Sequence, residues 1–262
     1  MTVLSTPAAP LPTVEILGVR IHAITEAQTV ARILDELDAG RGGMVVTPNL
    51  DHLRRCARSP EYARLVAAGE LVVPDGVPIL WASRIAGRPL PGLVAGSNLV
   101  SSLAAGAARR GRSLFLLGGV EGSAAGAADV LVKRHSGLRI AGTWCPPFGF
   151  EKDAAEMARI TSALCDAAPD IVYVGLGSPK QERLIERLRP LLPCAWWLGV
   201  GVSFSFLTGD VRRAPRWMQR CGLEWVHRLA SEPRRLARRY LIEGLPFAVR
   251  LVAWAVCQRF RG

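Results

Sequence analysis

Short apolar segments alternate with longer Ala-, Leu- and Arg-rich segments from residue 13 onward, and this alternation constrains the fold more than any other feature of the chain. Seven segments have the composition of strands: 14–16, 44–47, 71–74, 114–117, 139–143, 171–174 and 195–199. Eight segments have the composition of helices: 26–38, 51–57, 60–69, 79–86, 98–110, 123–135, 154–167 and 180–188. Strands that alternate with helices are typical of an α/β fold with a mostly parallel sheet.

The alternation stops after Gly209, where the sequence becomes rich in Trp and Arg and no further strand-like run appears. Helices are expected at 214–219, 223–230 and 233–242. The sequence therefore predicts three parts: a disordered tail over residues 1–12, an α/β core with a central cleft over 13–209, and a helical appendage over 210–262.

The appendage holds most of the positive charge. Residues 210–262 contain twelve Arg, no Lys and four acidic residues, so they carry +8 of the net charge of +11. A nearly neutral body with a basic end indicates an acidic partner, which is a phosphate group, a nucleic acid or an anionic membrane.

The cysteines and histidines do not indicate a metal site. The six cysteines include no C-x-x-C pair and the four histidines do not cluster, which favours a reducing compartment and argues against structural zinc. The N-terminal residues lack the charged and apolar regions of a signal peptide. The apolar run 245–257 has thirteen residues and contains Arg250, whereas a membrane-spanning helix needs about twenty. We therefore expect contact with a membrane rather than a span.

Candidate site residues are sought in the loops after the strands, because ligands of open α/β sheets bind outside the carboxyl ends of the strands. Thr47 and Asn49 follow the second predicted strand, where a helix N-cap and turn is the simpler interpretation. Asp75 and Gly76 follow the third, and an Asp-Gly pair is often only a turn. As a carboxylate at the tip of an apolar strand, Asp75 is also a candidate general base.

Two glycine-rich loops are candidates for binding phosphate. Gly118 and Gly119 lie between a strand and a helix, where backbone N–H groups can hold a phosphate. The G-x-G-x-x-G fingerprint is not met, so a soluble nucleotide-dependent oxidoreductase that uses this loop remains only an alternative. The second loop contains Gly175 and Gly177, which are followed by Pro179, Lys180, Gln181 and Glu182. Glycine turn chemistry explains its first half, whereas Gln181 suits recognition of a uracil or sugar edge.

Arginines interleaved with aromatic residues in the appendage fit nucleic acid or membrane, and solvated arginines are the simpler alternative. Arg228, Arg235 and Arg238 are spaced so that one continuous helix would place them near one face. Their forked donors suit a diphosphate group.

Several long motifs together resemble the WecG/TagA/CpsF glycosyltransferases, known as glycosyltransferase family 26. The resemblance covers residues 14–243, nearly the whole chain. The motifs are TPN at 47, PDGVPILWASRIAGRPL at 74, DIVYVGLGSPKQE at 170, GVGVSFSFLTGDVRRAPRWMQRCGLEW at 199 and HRLASEPRRLARRYL at 227.

The resemblance implies a Rossmann-like core and a bacterial enzyme that moves a sugar, with inversion, from a UDP-sugar to a polyprenyl-diphosphate-linked saccharide. It further implies a peripheral location at the cytoplasmic face of the inner membrane, contact with anionic lipid, no required metal or cofactor, and no nucleic-acid partner. Asp75 matches the family's general base, Thr47 and Asn49 its pocket residues, and Gln181 a nucleotide-sugar contact. Arg228, Arg235 and Arg238 match arginines that hold the acceptor diphosphate. The oligomeric state stays open, a homo-oligomer included.

Three positions depart from the family pattern. Leu93 and Asn98 stand where many members have Arg and Asp, and Ser205 replaces the Asp of an F-D-F motif. The loss of an Arg near the donor pocket indicates a different sugar, so the expected donor is UDP-glucose, as in exopolysaccharide synthesis, ahead of UDP-N-acetylmannosamine.

Overall fold

The computed structural model describes residues 10–260, apart from the side chains of Arg216 and Arg220. An antiparallel hairpin of β1 (Thr13–Ile16) and β2 (Val19–His22) precedes the main sheet. Residues 1–9 of the predicted tail lie outside the described part. Leu11, from the same predicted tail, packs against the core.

The main sheet has six strands, and every neighbouring pair is parallel, which confirms the predicted α/β fold. Its strands are β3 (Gly43–Val46), β4 (Leu71–Val72), β5 (Ser113–Gly118), β6 (Arg139–Trp144), β7 (Ile171–Gly175) and β8 (Trp196–Gly199). Their spatial order is β4-β3-β8-β7-β5-β6.

Helices cover both faces of this sheet and continue beyond it. Nine lie within the described residues 10–209: α1 (Glu26–Asp38), α2 (Leu50–Arg58), α3 (Pro60–Ala67), α4 (Val77–Ile85), α5 (Gly96–Arg109), α6 (Ser123–Arg134), α7 (Ala154–Ala167), α8 (Lys180–Leu188) and α9 (Ser203–Thr208). Four follow within residues 210–260: α10 (Arg216–Arg220), α11 (Glu224–Ser231), α12 (Pro233–Ala237) and α13 (Leu245–Arg259), with a π-helical segment, Arg238–Gly244, between the last two. Short 3-10 helices cover Phe150–Lys152 and Arg189–Leu191.

The strands are apolar on both sides because the sheet is buried between two layers of helices. Along β3, Met44 and Val46 face one hydrophobic cluster, whereas Val45 faces the other. In β8 the neighbours Trp196 and Trp197 likewise point into opposite clusters. The core is therefore two apolar layers divided by the sheet.

The strand order opens a crevice between β5 and β7. From β5 the chain crosses through α6 to β6 on one side, and from β7 it crosses through α8 to β8 on the other. The loops after these strands therefore separate, which is where ligands bind in open α/β sheets. Gly118 and Gly175 are paired at this point.

The last helices form one continuous helix of 27 residues, Pro233–Arg259, which is long and apolar enough to cross a membrane. The thirteen-residue apolar run 245–257 is only part of this helix, because the helix predicted at 233–242 continues through the π-helical segment into the run. Phe247, Leu251 and Ala255 on this helix pack into the core cluster that also contains residues of α4. Core helices of soluble proteins can be equally long and apolar, so length and composition alone do not distinguish them from membrane-spanning helices.

Candidate active site

A cleft of about 2110 Å³ lies at the carboxyl ends of the strands. One wall consists of the loops that follow β3 to β8, and the other consists of residues from α11, the π-helical segment and α13. We call residues 210–260 the C-terminal segment. The two walls come from the two parts of the chain that the sequence separates near Gly209.

Asp75 lines this cleft between β4 and the start of α4. Its backbone N–H donates to the carbonyl of Pro48 at 2.9 Å, and its carboxylate accepts a hydrogen bond from the backbone N–H of Gly96. Gly76 also lines the cleft and has φ +112°, a conformation that glycine adopts without strain. Three loops thus fix the carboxylate in place.

The environment of Asp75 makes its carboxylate a stronger base than usual. Burial raises its pKa from 3.8 to about 6, and the negative charge of Glu224 acts in the same direction. His52, Arg213 and the Gly96 N–H act against this rise. A carboxyl group with a pKa near the working pH suits general base catalysis.

Thr47 and Asn49 lie beside Asp75 on the cleft wall. Asn49 caps α2: its Oδ1 accepts from the backbone N–H of Asp51 at 3.0 Å and of His52 at 3.3 Å. The simpler interpretation of an N-cap is therefore present in the structure, and the Asn49 amide group still lines the cleft.

The glycine loop after β5 requires glycine sterically. Gly118 has φ +101° and Gly119 has φ +86°, and a Cβ on Gly119 would lie 2.1 Å from Ser123 Oγ. Gly119 faces the cleft together with Gly175 and Gly177, whereas Gly118 is not among the lining residues. These loops bring backbone groups to the crevice between β5 and β7.

The residues after Gly177 differ in their solvent exposure: some lie at the surface and others are buried. Pro179 precedes α8 and is not among the residues that line the cleft. Lys180 lines the cleft, pairs with Glu151 at 2.6 Å and lies 5.0 Å from the ring centre of the exposed Phe148. Gln181 and Glu182 are buried.

The Gln181 amide is largely used inside the protein. Its Oε1 accepts from the backbone N–H of Gly201 at 3.1 Å, and its Nε2 donates to Glu182 Oε1 at 3.0 Å. A Cβ on Gly199 would lie 2.5 Å from that nitrogen, so glycine makes room for the amide. Gln181 lines the cleft, whereas Glu182 does not and instead lines a separate small cavity together with His52 and Gln181.

Two of the three predicted arginines line the cleft. Arg228 does so and makes no ion pair with the described residues, and Arg235 does so while paired with Glu232 at 2.6 Å. Arg238 lies outside the cleft, with its side chain 82% exposed and 3.4 Å from Glu243.

Arg239 occupies the place expected for Arg238. It lines the cleft and pairs with Asp51 at 3.0 Å. Because the helix widens to a π-helix at Arg238, the regular spacing used in the sequence argument does not hold there. The sequence carried no signal for this change.

His52 is a further residue of the cleft wall that the sequence analysis missed, and only its place three residues after Asn49 could have indicated it.

Two of the three positions that depart from the family pattern line the cleft. Leu93 and Ser205 line the cleft, and Asn98 Oδ1 accepts from Arg213 at 2.7 Å. Within residues 10–260 no group of three or more His, Cys, Asp or Glu side chains could hold a metal ion.

With this geometry in place, comparison with known proteins decides the family. The model of the WecG/TagA/CpsF glycosyltransferase family matches residues 14–261. The chain belongs to this family. It is 33% identical over 202 residues to an N-acetylglucosaminyldiphosphoundecaprenol N-acetyl-beta-D-mannosaminyltransferase of Bacillus spizizenii, covering 77% of this chain and 76% of the relative. A Bacillus subtilis protein of the same name is 30% identical over 202 residues, covering 77% of each.

Membership in this family confirms the resemblance stated from the motifs and makes the protein a glycosyltransferase. The oxidoreductase alternative receives no support from these comparisons. The predicted roles of individual site residues are a separate matter, and they remain predictions.

Proposed function

We propose that this glycosyltransferase moves a sugar from a UDP-sugar to a saccharide linked to a polyprenyl diphosphate, with inversion at the anomeric carbon and without a metal ion. The observation that carries the proposal is the shared cleft of Asp75 and Arg228. A base and a guanidinium group without an ion-pair partner among the described residues line the same space, as transfer to an anionic lipid-linked acceptor requires.

In the proposed reaction Asp75 is the general base. An acceptor hydroxyl oxygen attacks the anomeric carbon, the bond from that carbon to the UDP oxygen breaks, and the hydroxyl proton moves to the Asp75 carboxylate. With a pKa of about 6 this group is still mostly ionised at neutral pH, and the raised pKa makes it a better proton acceptor than an ordinary aspartate. UDP leaves as an anion, stabilised by backbone N–H groups of the glycine loops.

Arg228 and Arg235 are proposed to hold the acceptor diphosphate. Arginine binds phosphate oxygens through two parallel N–H donors. Arg228 has no competing ion pair within residues 10–260, so its charge remains available for a ligand. The relatives' names specify a diphosphoundecaprenol-linked acceptor, which agrees with an anion site here.

The C-terminal segment is proposed to rest peripherally on an anionic membrane surface at the cytoplasmic face. Its exposed apolar side chains include Ile242 and Val249, each 70% exposed. Basic residues near an anionic surface add about 1 kcal/mol each. Ion pairs from Arg239 to Asp51 and from Glu243 to Arg54 hold the segment on the core, which favours a helix that lies on the protein.

The donor sugar is the least constrained part of the proposal. The relatives transfer N-acetylmannosamine, so UDP-N-acetylmannosamine is the first donor to test. The apolar Leu93 at the cleft is the reason to test UDP-glucose, and with it a role in exopolysaccharide synthesis, beside it.

A product assay tests the proposal. The protein is incubated with each UDP-sugar and a short-chain N-acetylglucosaminyl diphospholipid, and the product mass is measured with and without a chelator. We expect one hexose or N-acetylhexosamine to be added, with the chelator having no effect. No product with any UDP-sugar would overturn the proposal.

A further inference from the structure

His52 lies under the candidate base, on α2 against α8, and is 8% exposed. Its Nδ1 lies 2.8 Å from Asn49 Oδ1, and its Nε2 lies 3.7 Å from Glu182 Oε1. The imidazole thus lies between a residue of the cleft wall and the buried carboxylate of Glu182.

The orientation of the Asn49 amide is fixed by backbone groups. Two backbone N–H groups, those of Asp51 and His52, donate to one side-chain atom, which must therefore be the amide oxygen. His52 Nδ1 lies 2.8 Å from this oxygen, and the backbone N–H of Asn49 points to the same nitrogen at 3.4 Å. The ring is therefore held against both the side chain and the backbone of Asn49.

Glu182 lies on the Nε2 side of the His52 ring, and its Oε1 is 3.7 Å from that nitrogen. Burial opposes ionisation of Glu182, but the contact with His52 holds the pKa of Glu182 below its ordinary value. With Glu182 Oε2 lacking any partner among the described residues, the carboxylate depends on His52 and Gln181 for compensation.

The contacts of the Asn49 oxygen decide which atoms of this side chain can face a ligand in the cleft. The oxygen is occupied by Asp51 and His52, so the side-chain NH₂ group is what Asn49 can offer to the cleft. A Cβ at Gly76 would lie 3.6 Å from Asn49 Cβ, which places Asn49 directly beside the Asp75 loop. Two N–H donors next to a base suit the oxygen atoms of a sugar.

We propose that His52, held between Asn49 and Glu182, is a positioning residue that holds the Asn49 amide with its N–H donors toward the reacting sugar. This inference rests on the proposed glycosyl transfer. His52 acts through Asn49 and does not itself touch the substrate.

A double-mutant cycle tests whether the effect of His52 passes through Asn49. Asn49→Ser keeps an N-cap oxygen but removes the amide donors. His52→Leu removes both ring contacts, and His52→Gln keeps a hydrogen-bonding group without the ring. If His52 acts only by orienting Asn49, His52→Leu lowers kcat by about 10- to 100-fold in the parent chain and adds no further loss in Asn49→Ser, since coupled residues are non-additive.

Separate measurements distinguish positioning from folding. Glu182→Gln is expected to lower kcat about tenfold, whereas Glu186→Gln, an exposed carboxylate on the same helix, leaves it unchanged. UDP affinity, measured by calorimetry, and the melting temperature serve as controls that need no activity. The inference predicts that UDP affinity stays within about twofold in His52→Gln while kcat falls.

Two results would overturn the inference. The first is a double variant whose loss of kcat equals the product of the losses in Asn49→Ser and His52→Leu. The other is a fall in UDP affinity that accompanies the fall in kcat, which indicates a general collapse of the pocket. Absence of transfer by the parent protein with every UDP-sugar is a different failure, since it rejects the proposed function and is recognised before any variant is made.

Discussion

The two walls of the cleft are built differently. On the core wall, Asn49 contacts His52 at 2.8 Å and Gln181 donates to Glu182 behind it, and His52, Gln181 and Glu182 are buried. On the wall from the C-terminal segment, the described buried residues are few: Ala214, Leu236, Phe247, Leu251 and Ala255. A fixed wall suits bond chemistry, which depends on geometry, whereas an exposed wall suits capture of an acceptor at a lipid surface. The predictions below test this division.

The largest expected effect is on the core wall. Asp75→Asn should lower turnover by about 10²- to 10⁴-fold, the usual contribution of a general base. UDP affinity should be unchanged because the substitution keeps the shape of the side chain. Asp129→Asn on α6, an exposed position, is the control for turnover. Equal turnover of the Asp75 and Asp129 variants would remove Asp75 from the mechanism.

A smaller effect is expected on the opposite wall. Arg228→Ala should lower kcat/KM for the lipid acceptor by about 10- to 100-fold, since hydrogen bonds to charged groups contribute about 1.5–3 kcal/mol. UDP affinity should not change. Arg234→Ala, at an exposed position on the same segment, should have no effect on either quantity. Equal losses in both arginine variants would show that only net charge matters.

The pKa of Asp75 predicts opposite pH effects on activity and on stability. Below about pH 6 kcat/KM should fall tenfold per pH unit as the base is protonated. Because the folded pKa lies above the unfolded value of 3.8, the contribution of this group to stability is lost as pH rises through about 6.

Asp75→Asn removes that loss, so the free energy of unfolding at pH 7.5 should rise by up to about 3 kcal/mol, at about 1.4 kcal/mol per pKa unit. Urea unfolding of the two proteins at pH 4 and 7.5 measures it. A variant that is less stable at pH 7.5 would contradict the raised pKa.

Membrane contact should respond to single substitutions on the exposed wall. Val249→Glu should reduce flotation with anionic vesicles several-fold because an apolar contact is replaced by a repelled charge. Val132→Glu, on exposed α6, is the matched control. Unchanged flotation of the Val249 variant would move the membrane contact elsewhere.

The smallest effect is expected at Arg238. Because its side chain is 82% exposed and lies outside the cleft, Arg238→Ala should change kcat/KM for the acceptor by no more than about twofold. A loss as large as that of Arg228→Ala would show that the segment rearranges when it binds the acceptor.

The sequence predicted the regular part of the fold well. Helices Glu26–Asp38, Ala154–Ala167 and Lys180–Leu188 were predicted with the observed bounds, because their apolar spacing is a local signal. The strand Val19–His22 was missed because its turn uses Leu17 and Gly18, both at positive φ, instead of a typical Asn-Gly pair. The helix Leu245–Arg259 was not predicted, because its apolar run was considered only as a candidate membrane span and was judged too short for one.

The site was predictable where it follows strands and unpredictable where it depends on tertiary packing. Asp75, Thr47 and Asn49 stand at strand ends, a position that sequence reasoning can identify. His52 gains its contacts only when α2 packs beside α8. Arg239 replaces Arg238 in the cleft only because the helix is locally π-helical.

The central claim is that Asp75 and the cleft arginines act on one acceptor. The most direct measurement is the ratio of kcat/KM for a lipid-diphosphate glycoside to that for the matching monophosphate, in the parent protein, in Asp75→Asn and in the Arg228→Ala, Arg235→Ala double variant. We predict a high ratio for the parent, the same ratio at much lower rates for Asp75→Asn, and a ratio near one for the double arginine variant. A diphosphate preference that survives removal of both arginines would contradict the account.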